Sequence, residues 1–406
     1  MRKTSSLDKA WKNIKLIKKV FDLFGHENIF FVGGAVRNFL LNQSLEDIDL
    51  AVKLNVTAAK KKLLKAKINF VDFSKGHGTL SLSFQGNKIE ITSMRVDKET
   101  YGRKAKVEFV DDIFLDSCRR DFTINSIYSN FNGKIYDPHN GTKDLKNRKV
   151  RFIGNPIKRI KEDKLRILRY YRFLSYYGCN SNVVDKDSMI ASRKSFSLIS
   201  NISKERKSYE FFKLIIGKYA AEVLILMKKQ KILKTLVPGL EIIQNSDIKL
   251  LNNLKVEKLI RISFLLIMSK FELNKLREYL FFSKKEYVYL KLICTNFKLF
   301  EINNIKDARL AKYKLGYEIS VHIYYLKCFL KKENMKNRIQ YVLENWNVPR
   351  FPINGNDLKK IGIAKGRVLG DVLKDTLAWW VSQDFKPDKK KCLKKSKLFI
   401  SNSTRL

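Results

Sequence analysis

The segment from Ile29 to Val52 constrains the fold more than any other part of the chain. Its sequence, IFFVGGAVRNFLLNQSLEDIDLAV, opens with four apolar residues, is interrupted by Gly33-Gly34 and closes with an alternating run. This pattern predicts a strand, a glycine turn, a short helix and a second strand. Because successive side chains of a strand point to opposite faces, Asp47 and Asp49 would stand together on the polar face of the second strand.

These two carboxylates predict a divalent cation at the second strand. Adjacent carboxylates repel unless a proton or a cation lies between them, and Mg²⁺ accepts one or two of them and completes its shell with water and substrate phosphates. The helix after the glycine turn, with Arg37 one turn from its start, would present unpaired N–H groups to an anion. A simpler interpretation is a solvated strand end beside an ordinary turn, but the combination in one short unit favours phosphoryl or nucleotidyl transfer.

The charge balance predicts a polyanionic partner. The chain of 406 residues has 82 Lys and Arg against 40 Asp and Glu, which gives a formal net charge of +42. An excess of this size favours nucleic acid first and a membrane surface second. The length and an apolar content of 45% indicate a globular protein of about two to four domains.

The sequence predicts a cytoplasmic protein that does not cross a membrane. A helix that spans a bilayer needs about 18 consecutive apolar residues, and no run in the sequence approaches that length. The N-terminal sequence MRKTSSLDKAWKN lacks the apolar core of a signal peptide. The five cysteines are scattered and form no CxxC pair. This distribution indicates reduced thiols and no zinc site.

A hairpin is predicted at TLSLSF-QGN-KIEITSM, because apolar residues alternate on both arms around a turn sequence. The same alternation places Glu90 on the polar face. It would be a third carboxylate at the cation if its strand lies beside the one that carries Asp47 and Asp49, and otherwise a solvated side chain. Residues 95–108 are charged and only weakly periodic, so a mobile loop is predicted there.

The motif RRDFTINS, residues 119–126, combines groups that suit a nucleotide. Arg119 and Arg120 offer cations for phosphate, and Asp121 and Asn125 offer a carboxylate and an amide for a sugar hydroxyl.

The periodicity of PIKRIKEDKLRILRYYRFLSYYG is helical, and Asp163, Arg166, Arg169 and Phe173 fall on one stripe. Spacing alone favours a surface ion pair between Asp163 and Arg166. The alternative is an array of donors and acceptors that matches the hydrogen-bonding edge of a base.

The rest of the chain is predicted to be helical. Residues 190–330 carry repeated apolar helical patterns with basic faces, and the segment WNVPRFPING indicates a domain edge. Gly362, Gly366 and Gly370 lie four residues apart. They would either let an RNA backbone approach closely or only end short helices and permit tight packing.

A series of motifs resembles those of the class II tRNA nucleotidyltransferases and bacterial poly(A) polymerases, within the polymerase-beta-like superfamily, and specifically those of its CCA-adding enzymes. VGGAVRN (32–38) resembles the family's GGxVRD, EDIDL (46–50) its DxD, RRDFTINS (119–126) its RRDFTINA, DPHNGTKDL (137–145) its DPxxGxxDL hinge, EDKLRILRYYRF (162–173) its EDxxR helix, and ISKERKSYE (202–210) its ERxxxE. The segment FPINGNDLKKIGIAKGRVLG is also similar to the C-terminal tail of many bacterial members.

The resemblance implies an α+β fold. A mixed-sheet nucleotidyltransferase head would occupy residues 1–154, followed by an all-helical neck (155–222), an RNA-binding body (223–340) and a tRNA-binding tail (341–406).

The resemblance also implies a role for each matching residue. Mg²⁺ would be bound by Asp47 and Asp49, and Glu90 stands where the family's third catalytic carboxylate is expected. The nucleotide-binding residues would be Gly33, Gly34, Arg37 and Arg120 at the triphosphate, Asp121 and Asn125 at the ribose, Asp163 and Arg166 at the base, and Arg169 and Arg172 in support.

The implied activity is template-independent addition of C, C and A from CTP and ATP to the 3′ end of tRNA, with no obligate protein partner. The 3′-hydroxyl would attack the α-phosphorus and pyrophosphate would leave. The alternatives are a CC- or A-adding partial enzyme, a poly(A) polymerase of the same family, and a non-catalytic RNA-binding protein with this fold. The segment FSKGHGTLSLSF is similar to the CCA-adding type, and the presence of Asp47 and Asp49 argues against a non-catalytic protein.

The sequence departs from the family pattern in three places, of which the smallest is Ser126 in place of Ala at the end of the RRDFTIN motif. Asn38 replaces the usual Asp and removes a charge that would orient Arg37. The sequence Leu115-Asp116-Ser117-Cys118 stands where a more acidic lead-in to the RRD motif is common.

Overall fold

A mixed six-stranded sheet forms the N-terminal part of the fold. The computed structural model of the chain describes residues 15–43, 47–72, 78–84, 87–101, 104–178, 184–363 and 366–403. The strands in these ranges are β1 (Ile29–Val32), β2 (Asp47–Val52), β3 (Thr79–Phe84), β4 (Asn87–Ser93), β5 (Arg95–Tyr101), β6 (Lys104–Phe109), β7 (Tyr128–Ser129) and β8 (Ile135–Tyr136). Of these, β5 and β6 form a separate two-stranded sheet. The sheet order is β3-β4-β2-β1-β7-β8, in which β2 and β4 are parallel and the other neighbours are antiparallel.

Apolar alternation decides which face of the central strands is buried. In β2, Ile48, Leu50 and Val52 are buried, as the period of two predicts. The predicted hairpin is confirmed, because β3 and β4 pair antiparallel with Leu80 opposite Ile91.

Three helices accompany the first strands, namely α1 (Lys15–Phe24), α2 (Gly34–Leu40) and α3 (Val56–Lys65). Helix α2 packs on β1 and β2 through the buried residues Val36, Phe39 and Leu40. This packing fixes the glycine turn, which lies between β1 and α2, against the sheet.

Residues 95–109 form an antiparallel ribbon of β5 and β6, so the predicted loop was wrong. Arg95 is opposite Phe109, and the register shifts between Asp97 and Glu99. The ribbon was missed because RVDKETY lacks the apolar alternation on which strand prediction rests, and the alternation of KAKVEF over six residues was not recognised beside it. Its strands are held by the backbone ladder and by charge pairs such as Lys98 with Glu108.

Helices form the remainder of the described chain, and those from Pro156 onward were predicted from the sequence, whereas the two short ones before it were not. They are α4 (Ile113–Cys118), α5 (Gly141–Lys146), α6 (Pro156–Glu162), α7 (Arg166–Tyr177), α8 (Lys186–Lys194), α9 (Lys204–Ile215), α10 (Ala220–Lys229), α11 (Ile232–Leu236), α12 (Asn245–Lys249), α13 (Lys258–Ser269), α14 (Leu273–Tyr279), α15 (Lys284–Asn296), α16 (Ile305–Leu315), α17 (Tyr317–Lys331), α18 (Asn337–Asn345), α19 (Gly355–Lys360), α20 (Arg367–Ser382) and α21 (Lys389–Ser403). The α+β fold class is therefore confirmed.

The chain divides into two compact units, residues 1–261 with 268–281 and residues 262–267 with 282–406. A core cluster of the first unit consists of Phe30, Val32, Ala51, Met94 and Tyr128. A core cluster of the second consists of Ile353, Leu358, Ile363, Val372, Trp380 and Cys392. The four-region division made from the sequence stays a prediction. None of the helices in the described ranges combines the length and apolar character that crossing a membrane requires.

The turn before α5 is tied to the RRDFTIN segment. Asp137 Oδ1 accepts a hydrogen bond from Gly141 N at 2.7 Å, and Asp144 Oδ2 accepts one from the Thr123 hydroxyl at 2.6 Å. A Cβ atom at Gly141 would lie 2.1 Å from the carbonyl oxygen of Thr123. Glycine is required here because a side chain has no space, so α5 and the 123–125 turn are in close contact.

Gly141→Ala is expected to lower the free energy of unfolding by about 3 kcal/mol, at the upper end of the usual cost of overpacking. The added methyl group would overlap backbone atoms, which cannot rotate away as a side chain can. Urea titration or calorimetry measures the change.

Gly370→Ala is the matched control, because this glycine lies inside α20 and its Cβ position has no described heavy atom within 4 Å. Alanine should stabilise that helix by about 0.5–1 kcal/mol. Wild-type stability of the Gly141→Ala variant would contradict the close packing of α5.

Candidate active site

The glycine turn and Asp49 face each other. Gly33 has φ +64°, a left-handed conformation that favours glycine. A Cβ atom at Gly34 would lie 3.8 Å from Asp49 Oδ2, and one at Gly33 would lie 4.0 Å from the same atom. The carboxylate of Asp49 therefore lies next to the turn, and a side chain at Gly33 or Gly34 would be in van der Waals contact with it.

The neighbouring strand brings Glu90 beside Asp49. In the parallel pair of β2 and β4, Asp49 is in register with Glu90 and Asp47 with Lys88. Register partners share a face of the sheet, so the predicted placement of Glu90 next to the strand of the two aspartates is confirmed. The Glu90 carboxylate forms an ion pair with Lys88. Asp47 lies in β2, and its side chain is outside what the structure describes.

These carboxylates suit a hard divalent cation that also binds substrate. In the described ranges, no three acidic, histidine or cysteine side chains lie close enough together to surround a metal ion. Mg²⁺ does not require such a cage, because it keeps several waters and takes one or two carboxylates plus substrate phosphates. Asp49 and its register partner Glu90 are carboxylates of the kind that this requirement names.

Arg37 is held by two amides. Its Nε and Nη2 donate to Asn38 Oδ1 at 3.2 and 3.0 Å, and its Nη1 donates to Asn125 Oδ1. The guanidinium carbon lies 5.2 Å from the centre of the Phe173 ring. Asn38 therefore still orients Arg37, with an amide oxygen in place of a charged one.

A cavity of about 460 Å³ opens beside the glycine turn, within the range of small-molecule sites. It is lined by Gly33, Gly34, Arg37, Asp49, Arg120, Asp121, Asn125, Asp163, Leu165, Arg166, Arg169, Arg172, Phe173 and Arg206. Among the described side chains predicted to form the site, Glu90 and Arg119 do not line this cavity, and Arg119 pairs with Asp116 instead. Six of the lining residues are arginines and three are aspartates, so the cavity favours an anion.

Asp121 is fixed by three hydrogen bonds. Its Oδ1 accepts from Asn125 Nδ2 and from Phe122 N, both at 2.9 Å, and its Oδ2 accepts from Arg169 Nε at 2.6 Å. Burial alone would raise the pKa of Asp121, but Arg169 and Asn125 outweigh it and hold this pKa well below its usual range. The Asp121 carboxylate is thus charged and rigid at the cavity wall.

Asp163 does not lie on a helical stripe with Arg166, so that detail of the prediction was wrong. Helix α6 ends at Glu162, and Asp163 has extended backbone angles. Its Oδ1 accepts from Leu165 N at 3.1 Å, a local bond by which aspartate competes with helix formation.

The predicted ion pair between Asp163 and Arg166 is replaced by two others. Asp163 pairs with Arg206 at 2.7 Å, and Arg166 pairs with Glu162 at 2.7 Å. Both Asp163 and Arg166 nevertheless line the cavity, as the resemblance implied.

Sequence reasoning assigned no role to Arg206 and Glu210. They form ion pairs with the cavity residues Asp163 and Arg172. Glu210 is buried and forms an ion pair with Arg172 at 3.1 Å. Burial raises the pKa of Glu210, and Arg172 and Arg169 oppose that rise. Both residues belong to the ERxxxE motif, which was therefore the available signal.

Comparison with known families supports the assignment of this region. Residues 29–151 match the family described as the poly A polymerase head domain. Residues 183–243 match the family described as the probable RNA and SrmB-binding site of polymerase A.

Curated relatives and solved structures extend this similarity over the chain. The chain is 30% identical to the mitochondrial CCA tRNA nucleotidyltransferase 1 of Mus musculus, over 93% of this chain and 88% of the relative. It is 35% identical to the CCA-adding enzyme of Bacillus pumilus over 52% of each chain.

Its fold matches that of the Bacillus stearothermophilus CCA-adding enzyme in complex with CTP, with a TM-score of 0.79, 21% identity and coverage of 96% of this chain and 98% of the other. The Thermotoga maritima CCA-adding enzyme complexed with tRNA gives a TM-score of 0.65 at 18% identity, over 98% and 99% of the two chains. From the motifs, the fold and the relative that matches most of its length, we conclude that the chain belongs to the family of CCA-adding tRNA nucleotidyltransferases and poly(A) polymerases.

Proposed function

We propose that this enzyme adds C, C and A to the 3′ end of tRNA, using CTP and ATP and releasing pyrophosphate. The observation that carries the proposal is a cavity lined by six arginines in which Asp49 meets the glycine turn. Its charge suits a triphosphate, and relatives that match most of the chain are CCA tRNA nucleotidyltransferases by name.

The acidic edge of the sheet is proposed to hold the metal. Nucleotidyltransferases of this family generally use divalent ions, and we assign Mg²⁺ to Asp47 and Asp49, with Glu90 beside them as the third catalytic carboxylate. When bound, the ion would lower the pKa of the attacking hydroxyl and neutralise charge on the triphosphate.

The glycine turn and two arginines are proposed to bind the triphosphate. Gly33 and Gly34 leave space for phosphate oxygens to approach the backbone. Arg37 and Arg120 both line the cavity there and are held by other side chains. They would therefore bind phosphate without losing much further side-chain freedom.

The opposite wall is proposed to select the nucleotide. The Asp121 carboxylate would accept a hydrogen bond from a ribose hydroxyl, and the Asn125 amide would donate one. Asp163 and Arg166 would present acceptors and donors to the base, and Arg169 and Arg172 would keep that wall in place through their pairs with Asp121 and Glu210. The protein itself would then supply the hydrogen-bonding pattern that a template strand supplies elsewhere.

The C-terminal part of the chain is proposed to bind tRNA through phosphate contacts. A cavity of about 400 Å³ in the second unit is lined by Trp379, Gln383, Lys386, Pro387, Lys391, Lys394, Lys395 and Leu398. Lys395 Nζ lies 5.9 Å from the centre of the Trp379 ring. Lysines around a half-buried aromatic side chain suit a nucleic acid backbone with a base in stacking distance.

The compartment is proposed to be the cytoplasm, on the sequence argument from reduced thiols. The cysteines in the described ranges, Cys118, Cys294, Cys328 and Cys392, are all free. The mouse and human relatives are named as mitochondrial proteins. Microscopy of a tagged chain would therefore decide between the two compartments.

Asp49→Ala is expected to lower nucleotide incorporation at least about 10³-fold, because a catalytic metal contributes several kcal/mol to the transition state. Binding of tRNA should change little. Incubation of tRNA lacking CCA with each labelled nucleotide, followed by sequencing of the 3′ ends, measures both the activity and the added sequence. Asp187→Asn, at an exposed position on α8, is the control, and substantial activity of Asp49→Ala would refute the metal assignment.

Arg166→Ala is expected to reduce the preference for CTP and ATP over GTP and UTP by about 10- to 100-fold, the value of one or two hydrogen bonds to a charged group. The measurement is kcat/KM for all four nucleotides. Lys161→Ala removes an exposed cation from α6 and should leave the preference unchanged. An unaltered preference in Arg166→Ala would count against base recognition at this position.

A variant with Lys391, Lys394 and Lys395 all replaced by Ala is expected to bind tRNA more weakly. The slope of log affinity against log salt concentration should fall by about 0.7–0.9 for each phosphate that these lysines no longer neutralise. Replacement of the exposed residues Lys18, Lys61 and Lys65 removes the same charge elsewhere and serves as the control. Equally weakened binding in both variants would show a non-specific charge effect.

A further inference from the structure

A carboxylate outside the cavity joins several elements of the first unit. Asp116, in α4, is fully buried. Its Oδ1 accepts from Arg119 Nε at 2.8 Å and from the backbone N of Arg95 at 3.1 Å. Its Oδ2 accepts from the Tyr128 hydroxyl at 2.6 Å and from Arg120 Nη2 at 3.1 Å and Nε at 3.3 Å. One side chain thus connects β5, β7 and the RRD motif.

Arg120 and Asp116 form a buried charge pair. Burial alone would raise the pKa of Asp116, but Arg120 and Arg119 outweigh it and keep this pKa well below its usual range. The pKa of Arg120 is raised in spite of burial, because Tyr128 and Asp116 lie against it. The pair is therefore ionised, and removal of the Asp116 charge would leave Arg120 buried without the carboxylate that compensates it.

The two edges of the Arg120 guanidinium face different groups. Nε and Nη2 are turned to Asp116, and Nε also donates to the Tyr128 hydroxyl at 2.9 Å. Nη1 lies 3.5 Å from the position that a Cβ atom on Gly33 would take. The remaining edge of Arg120 is thereby directed at the glycine turn, in the cavity proposed to hold the triphosphate.

We propose that Asp116 is a positioning residue for the triphosphate. It holds Arg120 so that the Nη1 edge meets the phosphates at the glycine turn, and Tyr128 restrains the same carboxylate. An arginine without this partner would have to be ordered when the nucleotide binds, at a cost in affinity. This inference rests on the proposed nucleotide site.

The inference predicts a specific kinetic pattern. CTP and ATP share the triphosphate, so removal of the Asp116 carboxylate should weaken both by the same factor and leave the choice between bases unchanged. It should raise KM for both nucleotides. A residue that only supports the fold would instead reduce the active fraction, which lowers kcat and leaves KM unchanged.

The experiment measures binding of CTP, ATP and inorganic tripolyphosphate to Asp116→Asn, Tyr128→Phe and the full-length wild type by calorimetry in the presence of Mg²⁺. We expect Asp116→Asn to weaken all three by about 10- to 100-fold, as for other residues that orient a binding group. Tyr128→Phe, which keeps the charge pair, should weaken them by about fivefold, the value of one hydrogen bond. Asp111→Asn makes the same chemical change at an exposed position close by and should bind as wild type.

A folded Asp116→Asn protein that binds tripolyphosphate as wild type does would overturn the proposal, as would a weakening confined to CTP or to ATP. If Asp116→Asn does not fold, Tyr128→Phe decides, and unchanged tripolyphosphate binding in that variant overturns the proposal. If the wild-type protein binds tripolyphosphate but adds no nucleotide to tRNA, the proposed function is wrong and the positioning role of Asp116 still holds.

Discussion

The site depends on buried carboxylates that hold arginines in place. Asp116 holds Arg119 and Arg120, Asp121 holds Arg169, and Glu210 holds Arg172. Six arginines around one cavity would repel each other and move apart if each were free. Pairing Arg120, Arg169 and Arg172 with buried carboxylates neutralises part of this repulsion. The cavity stays cationic because its six arginines outnumber its three aspartates.

The position of the acidic strand edge is a second constraint, and it follows from strand periodicity. Asp49 lies between the buried residues Ile48 and Leu50, so its side chain must point to the other face of the sheet. The parallel pairing of β2 with β4 then places Glu90 at the same level. A shift of one residue in this register would move the aspartate into the core, and burial of the apolar face prevents that shift.

Much of this arrangement could be predicted from the sequence, where the signal is local. The strand, turn and helix at residues 29–40, the hairpin at 79–93 and the helical remainder follow from apolar period and turn residues, and motif resemblance supplied most of the cavity wall. The ribbon of β5 and β6 was missed because its first strand, RVDKETY, is charged and carries no apolar alternation, so the alternating KAKVEF had no evident partner. The partner of Asp163 was missed because Arg206 is distant in sequence and approaches only in the folded chain. Spacing on one helix could not show that the helix breaks at Asp163.

The ribbon of β5 and β6 is attached to Asp116 through the backbone N of Arg95, and this has an evolutionary consequence. A main-chain amide is present in every amino acid except proline, so the attachment does not depend on which side chain stands at that position. Substitution of Arg95 by any residue except proline would therefore retain this hydrogen bond. The join between the ribbon and the buried carboxylate can persist while the side chain at that position changes.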